Sequence, residues 1–302
     1  MNTRAYNRIE VDYNKGIVTK TSSTSRLKDE INYYIVLPDK LKIYFPRLVG
    51  YQDNIAPYQL QIEYLDVLDL GKNNALFPAL FEKILFILRD FQKYECPLLT
   101  YPANEYREDM FVKKTETEYT NLLQNKFFAD ISKIEDLKIN GKHYKNFLQI
   151  WDNVKTLIRQ RLINNNPFTV IHGDFCFSNL LWSNHGILRL IDPRGSFGMR
   201  GAWGDSVYDI AKLRHSLIGG YELLINDRFW VARGDSLDYA QQFEYKDDVL
   251  GIFTDCFGAD LNYKLVEGLI FMGMIARHYD SFDRQKAMYA IGIKYLNEVL
   301  CE

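Results

Sequence analysis

Between Thr169 and Gly195 the chain gathers an unusual share of side chains that can do chemistry. It reads Thr169-Val170-Ile171-His172-Gly173-Asp174-Phe175-Cys176-Phe177-Ser178-Asn179, then two apolar stretches, 180–182 and 187–191, around Ser183-Asn184-His185-Gly186, and closes on Asp192-Pro193-Arg194-Gly195. An apolar strand runs into a polar loop, and the two stretches read as a hairpin on a short turn. A hairpin returns the chain to where it began. Asn179 enters it and Asp192 leaves it, so both side chains are expected near each other and near Asp174. Two carboxylates and an amide are all oxygen donors. Mg²⁺ takes one or two carboxylates and completes its shell with water and phosphate oxygens. Phosphoryl transfer needs such a metal, plus a separate carboxylate to orient the attacking hydroxyl and accept its proton. Singly, Asp174 and Asn179 are ordinary turn formers and Asp192 an ordinary strand terminator. That explanation leaves their shared arrangement unaccounted for.

His172-x-Asp174-x-x-x-x-Asn179 followed by Ile191-Asp192-Pro193 resembles the signature of the aminoglycoside phosphotransferase and choline kinase family, a branch of the protein-kinase-like fold. Gly173 stands where that family has Gly and protein kinases have Arg. Gly204-Asp205-Ser206-Val207-Tyr208-Asp209-Ile210-Ala211 is similar to the family's Gly-Asp-x-x-Tyr-Asp helix start. The resemblance implies an α+β, bilobal protein-kinase-like fold with a small antiparallel-sheet N-lobe and a larger, mainly helical C-lobe. It implies Asp174 as catalytic base, Asn179 and Asp192 as Mg²⁺ ligands, His172 as support of the catalytic loop and Asp209 as its brace from behind. The phosphate donor would be ATP, with GTP possible.

Elements must hold those residues in place. From Arg8 to about Leu65 the pattern is strand-rich: 9–13 and 17–20 flank the turn Asn14-Lys15-Gly16, and 47–51 and 58–65 are further apolar stretches. Arg26 to Leu37 reads as an amphipathic helix with Leu27, Ile31, Tyr34 and Ile35 on one face, stopped by Pro38. From Ala75 helices dominate: 76–94, 116–128, 144–163, 208–218, 246–256, 262–278 and 283–299. The lobes are placed at 1–66 and 67–302.

A kinase-like N-lobe needs a phosphate-binding lysine and a helix carboxylate to hold it. Lys20, ending the second strand, has the right context; Glu30 is the first choice of partner and Asp29 the second. The family's hinge would fall at Glu63-Tyr64-Leu65, where backbone groups of Glu63 and Leu65 can pair with a base. No Gly-x-Gly-x-x-Gly loop precedes Lys20, so the phosphates are expected to be cradled more loosely or by Ser22, Ser23 and Thr24.

On the acceptor side, Arg194 is a candidate for contacting the transferred phosphoryl group or an acidic acceptor, because a guanidinium fork matches phosphate geometry. An ion pair with Asp205 or Glu63 is the alternative. Arg214, His215 and the segment 277–285 are further acceptor candidates. Arg194, Arg200, Lys212, Arg214 and His215 lean basic, against a polycationic antibiotic and towards a small-molecule hydroxyl acceptor such as a sugar, sugar acid or polyol. Similarity to phosphotransferases of that kind suggests surface polysaccharide biosynthesis as the setting. Choline or ethanolamine kinase, antibiotic phosphotransferase and a nucleotide-binding pseudokinase stay open as alternatives. No Ala-Pro-Glu-like segment follows Asp192, which disfavours a protein acceptor.

Composition limits the rest. With 302 residues, 47% of them hydrophobic, the chain can bury a full core. A net charge of -2 with both signs interspersed supplies no field to recruit nucleic acid or an anionic membrane. The N-terminal residues carry no apolar signal core, and the longest apolar runs are too short to cross a bilayer, so a cytoplasmic enzyme is expected. Cys96, Cys176, Cys256 and Cys301 form no C-x-x-C pair and are expected to be reduced thiols. Nothing in the sequence sets the oligomeric state.

Overall fold

The computed structural model describes residues 7–72, 76–98, 100–183, 185–243 and 247–302. Asn184 of the expected turn, Lys246 at the start of an expected helix, and the first six residues lie outside these. The chain groups into two compact units, 1–98 with 167–209 and 99–166 with 210–302. The expected N-lobe, 1–66, lies wholly within the first.

The first unit opens with the expected hairpin, β1 (Asn7–Asp12) against β2 (Ile17–Ser22), in a register pairing Asp12 with Ile17 and Ile9 with Lys20. Asp12 closes the turn by accepting the Lys15 N–H at 3.1 Å. Helix α1 (Arg26–Val36) follows and buries Leu27, Glu30, Ile31, Tyr33 and Tyr34. Ile35 was expected on the buried face but is 44% exposed. Tyr33 takes its place because α1 packs both on the sheet and on Phe45, whose ring lies 5.4 Å from Tyr33 and 5.8 Å from Tyr34. Strands β3 (Leu48–Gln52) and β4 (Tyr58–Glu63) complete an antiparallel sheet in the order β1-β2-β4-β3. A short β5 (Leu68–Asp69) leads to α2 (Pro78–Phe91), which starts on a proline, where no N–H is missed.

The chain then enters the second unit. The helix expected over 116–128 is instead α4 (Lys114–Leu122) and α5 (Lys126–Ile131), preceded by α3 (Ala103–Glu108) and a π-helical turn, Asp109–Lys113. The break falls at Asn125, whose side chain accepts the Phe127 N–H and so caps a new helix. A hairpin, β6 (Asp136–Ile139) and β7 (Lys142–Lys145), turns on Asn140-Gly141. That dipeptide is a strong hairpin signal, and it places Tyr144 in a strand. Helix α6 (Phe147–Arg161) therefore starts three residues later than expected, capped by Asn146.

Back in the first unit, β8 (Thr169–Val170) leads into the polar loop. The hairpin β9 (Leu180–Trp182) and β10 (Leu188–Leu190) follows, with β5 on its outer edge. Three two-residue strands come next, β11 (Ser196–Phe197), β12 (Met199–Arg200) and β13 (Trp203–Gly204), the last pairing with β8. Helix α7 (Ser206–Leu217) carries the chain into the second unit for α8 (Tyr221–Ile225), a hairpin β14 (Phe229–Val231) and β15 (Tyr239–Gln241), α9 (Asp247–Phe257), α10 (Leu261–Met272) and α11 (Phe282–Cys301). The helix expected over 262–278 stops at Gly273, and Ile275–His278 continues as a 3₁₀ turn. No helix among the described residues is long and apolar enough to cross a membrane.

Candidate active site

The loop after β8 is built around its backbone. Val170 donates its N–H to the Tyr94 carbonyl at 2.9 Å and Ile171 donates to Ala202 at 2.8 Å, so the strand is pinned on both sides before the polar residues begin. Gly173 has φ +76°, a conformation that costs other residues strain, and a Cβ there would lie 2.6 Å from the Arg194 Cβ. This is why glycine separates His172 from Asp174. The turn points the N–H groups of His172 and Gly173 at one carboxylate. Asp209 Oδ2 accepts from His172 at 2.6 Å and Oδ1 from Gly173 at 2.8 Å.

The His172 ring is buried, stacked at 6.0 Å on Phe45 and met edge-on by Phe175. Its Nε2 donates to the Ile191 carbonyl at 3.0 Å, while Nδ1 accepts the Asp174 N–H at 3.2 Å. That pair of bonds fixes a neutral tautomer. Burial pulls the imidazole pKa down to about 4 against the partial opposition of the Asp174 charge. Asn179 then folds back on the loop, donating from Nδ2 to the Asp174 carbonyl at 2.8 Å and to its carboxylate at 3.1 Å. The Ile191 N–H returns to the Asn179 carbonyl at 3.1 Å, so the hairpin closes beside Asp192 as expected.

A second cluster forms around Lys20, whose Nζ donates to Glu30 Oε2 at 2.6 Å and to Asp192 Oδ1 at 2.9 Å. Burial opposes the charge on Lys20, but the two carboxylates outweigh it and hold the ammonium above its ordinary pKa. Burial likewise raises Glu30. Glu30 is thus the lysine's partner. Asp29, the second choice, pairs with Arg200 instead: successive helix residues point about 100° apart, so only one of the two can face the lysine strand. Asp192 has φ 56°, left-handed for a non-glycine residue, and Asp is among the few that tolerate it. The two clusters share Ile191, which bonds to His172 and Asn179 and precedes Asp192.

The Gly-Asp-x-x-Tyr-Asp stretch has a physical reading here. Asp205 caps α7 by accepting the Val207 N–H at 3.1 Å, and Asp209, one turn on, holds the loop. Tyr208 lies between them, its ring 5.9 Å from the Arg194 guanidinium.

Other expected site residues are engaged within the protein. Arg194 makes neither ion pair considered for it. Its Nε donates to the Ser196 carbonyl at 3.0 Å and its backbone N–H to the His172 carbonyl at 2.8 Å, so it belongs to the support of the loop. Glu63 has its N–H on the Arg47 carbonyl and its side chain on the Arg47 N–H, and Tyr64 donates to Gly16. Those two N–H groups serve the sheet. Leu65 lies just past β4, with its carbonyl accepting from Val67. Ser22 is buried, its hydroxyl within 3.1 Å of Thr24 Oγ1 and accepting the Thr24 N–H, so it shapes the turn before α1 rather than facing phosphate. In the second unit, Arg214 pairs with buried Glu267, Arg277 with Glu118, and Arg284 with Asp280 and Asp227. The His215 ring is packed between Tyr221 and Phe271. Of the residues behind the basic lean read from the sequence, Arg200 and Arg214 are thus paired internally with carboxylates.

The depressed His172 pKa sets a pH dependence. The unfolded imidazole takes a proton near 6.5 and the folded one only near 4, so the unfolded state binds more protons between those values. The stabilising contribution is complete above about pH 6.5 and lost as pH falls towards 4, on the order of 3 kcal/mol at its limit. Denaturant melts at pH 7 and 4.5 are expected to show this loss, and His172→Asn to shrink it; an undiminished pH slope in the variant contradicts the assignment.

The donors fit Mg²⁺ by their chemistry. Asn179 commits its amide nitrogen to Asp174, leaving the carbonyl oxygen to face a cation, and the Asp192 side chain is 49% exposed. Among the described residues no three His, Cys, Asp or Glu side chains group as a metal cage. One carboxylate and one amide oxygen, completed by phosphate and water, is how proteins commonly bind Mg²⁺.

A family model described as the phosphotransferase enzyme family matches residues 11–242. No curated protein matches by sequence. Among solved structures, choline kinase LicA from Streptococcus pneumoniae superposes with a TM-score of 0.59 at 15% identity, over 99% of this chain and 92% of that one. A thermostable mutant of aminoglycoside phosphotransferase APH(4)-Ia, in ternary complex with AMP-PNP and hygromycin B, gives 0.59 at 10%, over 100% and 92%. The GDP and kanamycin complex of APH(2")-IIia gives 0.54 at 13%, over 99% and 91%. At these identities the likeness shows the fold: a small antiparallel sheet with one helix, followed by a mainly helical part, as the sequence led us to expect.

Proposed function

The chain belongs to the phosphotransferase enzyme family, an enzyme family that transfers phosphate to hydroxyl groups, and from that premise we propose that it moves the γ-phosphate of ATP or GTP to a hydroxyl of a sugar-like or polyol metabolite. One observation carries the reading. A single loop brings Asp174 and Asn179 into contact, and the hairpin that follows delivers Asp192 to the buried Lys20–Glu30 pair.

In this reading Lys20 holds the donor's phosphates, kept charged and directed by Glu30 and Asp192. Asp192 and Asn179 are the residues that would hold Mg²⁺, which when bound neutralises phosphate charge. Asp174 orients the acceptor hydroxyl and takes its proton while the hydroxyl oxygen bonds to the γ-phosphorus. The bond from that phosphorus to the β-phosphate oxygen breaks, and the nucleoside diphosphate leaves. His172, neutral and buried, is a positioning group. An acceptor of little net charge is favoured because two of the three arginines that leaned basic in the sequence, Arg200 and Arg214, are paired with Asp29 and Glu267. A choline or ethanolamine acceptor is the second reading, supported only by the fold shared with the choline kinase.

The test is nucleotide consumption, ATP and GTP in parallel, against a panel of sugars, polyols and amino alcohols with a no-acceptor control. Stimulation by sugars or polyols supports the proposal, stimulation by amino alcohols alone favours the second reading, and no stimulation by any rejects both. In the same assay Asp192→Asn is expected to weaken Mg²⁺-dependent nucleotide binding about tenfold, the scale of one lost charge-assisted contact. Asparagine tolerates the left-handed backbone, so the fold should survive. Unaltered Mg²⁺ dependence would remove Asp192 from the metal site.

A further inference from the structure

The helix that carries Glu30 is tied to the segment after Asp192 at two points that the mechanism does not use. Asp29, beside Glu30 on α1, accepts from Arg200 Nε at 2.7 Å. Gly195, three residues past Asp192, passes so close to α1 that a Cβ on it would fall 2.1 Å from the Asp29 carbonyl oxygen and 2.9 Å from the Glu30 nitrogen. The stretch between these points is closed on itself. Ser196 pairs with Arg200 across β11 and β12, and the Gly201 N–H donates to the Gly195 carbonyl at 2.9 Å. Asp192 therefore lies three residues before a small closed loop whose base, Gly195 and Arg200, grips α1. Lys20 bonds to one residue on each side of this junction, Glu30 on the helix and Asp192 at the loop.

We propose that Arg200 is a positioning residue for phosphoryl transfer: through Asp29 it fixes α1 against the loop after Asp192 and so sets the separation of Glu30 and Asp192 about Lys20. This rests on the reading of Lys20 as the phosphate ligand. The Arg200 side chain is 51% exposed and that of Asp29 26% exposed, and surface pairs of this kind add little to global stability. Their effect belongs to placement, where errors near 1 Å already matter. The close passage of Gly195 supplies the contact, and the ion pair keeps the helix from turning about it.

The test uses the full chain with ATP as probe and GTP in parallel, measuring the dissociation constant in Mg²⁺ together with thermal melting. Arg200→Ala and Asp29→Ala are each expected to weaken binding about fivefold, a typical coupling through a contact network, with little change in melting temperature. The reversed pair, Asp29→Arg with Arg200→Asp, should recover most of the loss. On a Lys20→Ala background, Arg200→Ala should add nothing. Hydrogen exchange of the α1 amides without nucleotide should rise in both single variants, a readout that holds even if Lys20→Ala binds too weakly to measure. The proposal is overturned by unchanged affinity and exchange in Arg200→Ala, by a loss that persists undiminished on the Lys20→Ala background, or by a loss matched by general melting. Should Lys20→Ala itself bind nucleotide normally, the reading of Lys20 fails and the inference with it; a lysine that matters beside an arginine that does not sinks the inference alone.

Discussion

Asp174→Asn is expected to lower turnover by about 10²- to 10⁴-fold, the usual worth of a positioned general base, while nucleotide affinity stays within about twofold of the parent. An amide cannot take the acceptor's proton, yet its oxygen can still accept from Asn179 Nδ2, which bonds the carboxylate at 3.1 Å. The backbone contacts of residue 174, its N–H to His172 Nδ1 and its carbonyl to Asn179, do not depend on the side chain. The variant should therefore melt like the parent. Turnover with an acceptor identified in the panel, alongside nucleotide titration, checks this. Activity within about threefold of the parent would mean that another group takes the proton.

Asp209→Ala should be the most damaging substitution to the loop itself. It strands two buried N–H donors that now bond a carboxylate at 2.6 and 2.8 Å. Leaving both unsatisfied costs roughly 3–5 kcal/mol, since hydrogen bonds to charged groups exceed the neutral average and each orphan bears its full desolvation penalty. For a chain of this size that lowers the melting temperature by on the order of 10 °C. Turnover should fall about 10²-fold or more, because the residues that carry Asp174 lose their brace. Asp209→Asn is the informative companion. Its amide presents one acceptor and one donor to two donors, so it should recover part of the stability and little of the activity. If both variants turn over normally, Asp209 is a helix-start residue with no hold on catalysis.

The loop and its hairpin were legible because their spacing is local. Turn chemistry at 183–186 and strand length on either side force Asn179 and Asp192 together whatever the remainder of the chain does. The Lys20–Glu30 pairing was legible for a similar reason, as the strand and helix are consecutive. What escaped was long-range. That Asp29 pairs with Arg200, 171 positions away, and that Gly195 must be small because α1 passes over it, leave no mark in any short window. The pairing of Arg214 with Glu267 could not be read ahead, because a guanidinium in a sequence looks the same whether it faces a ligand or a buried glutamate. The 136–145 hairpin was missed despite its Asn-Gly turn because strong apolar periodicity begins immediately after it, and the helical pattern was extended backwards over Tyr144. The break at Asn125 carried its own signal, a capping residue inside an apparent helix.

The left-handed backbone at Asp192 narrows the routes by which this gene can drift. Most replacements there would change shape and charge together, and selection would meet them as damaged proteins. Asparagine and glycine both tolerate that backbone and are each one base change from aspartate, and asparagine alone also keeps the side chain's shape while removing its negative charge. On the reading of Asp192 as a metal ligand, a lineage losing the need for catalysis has a short path here, as at Asp174, to a folded chain without the activity.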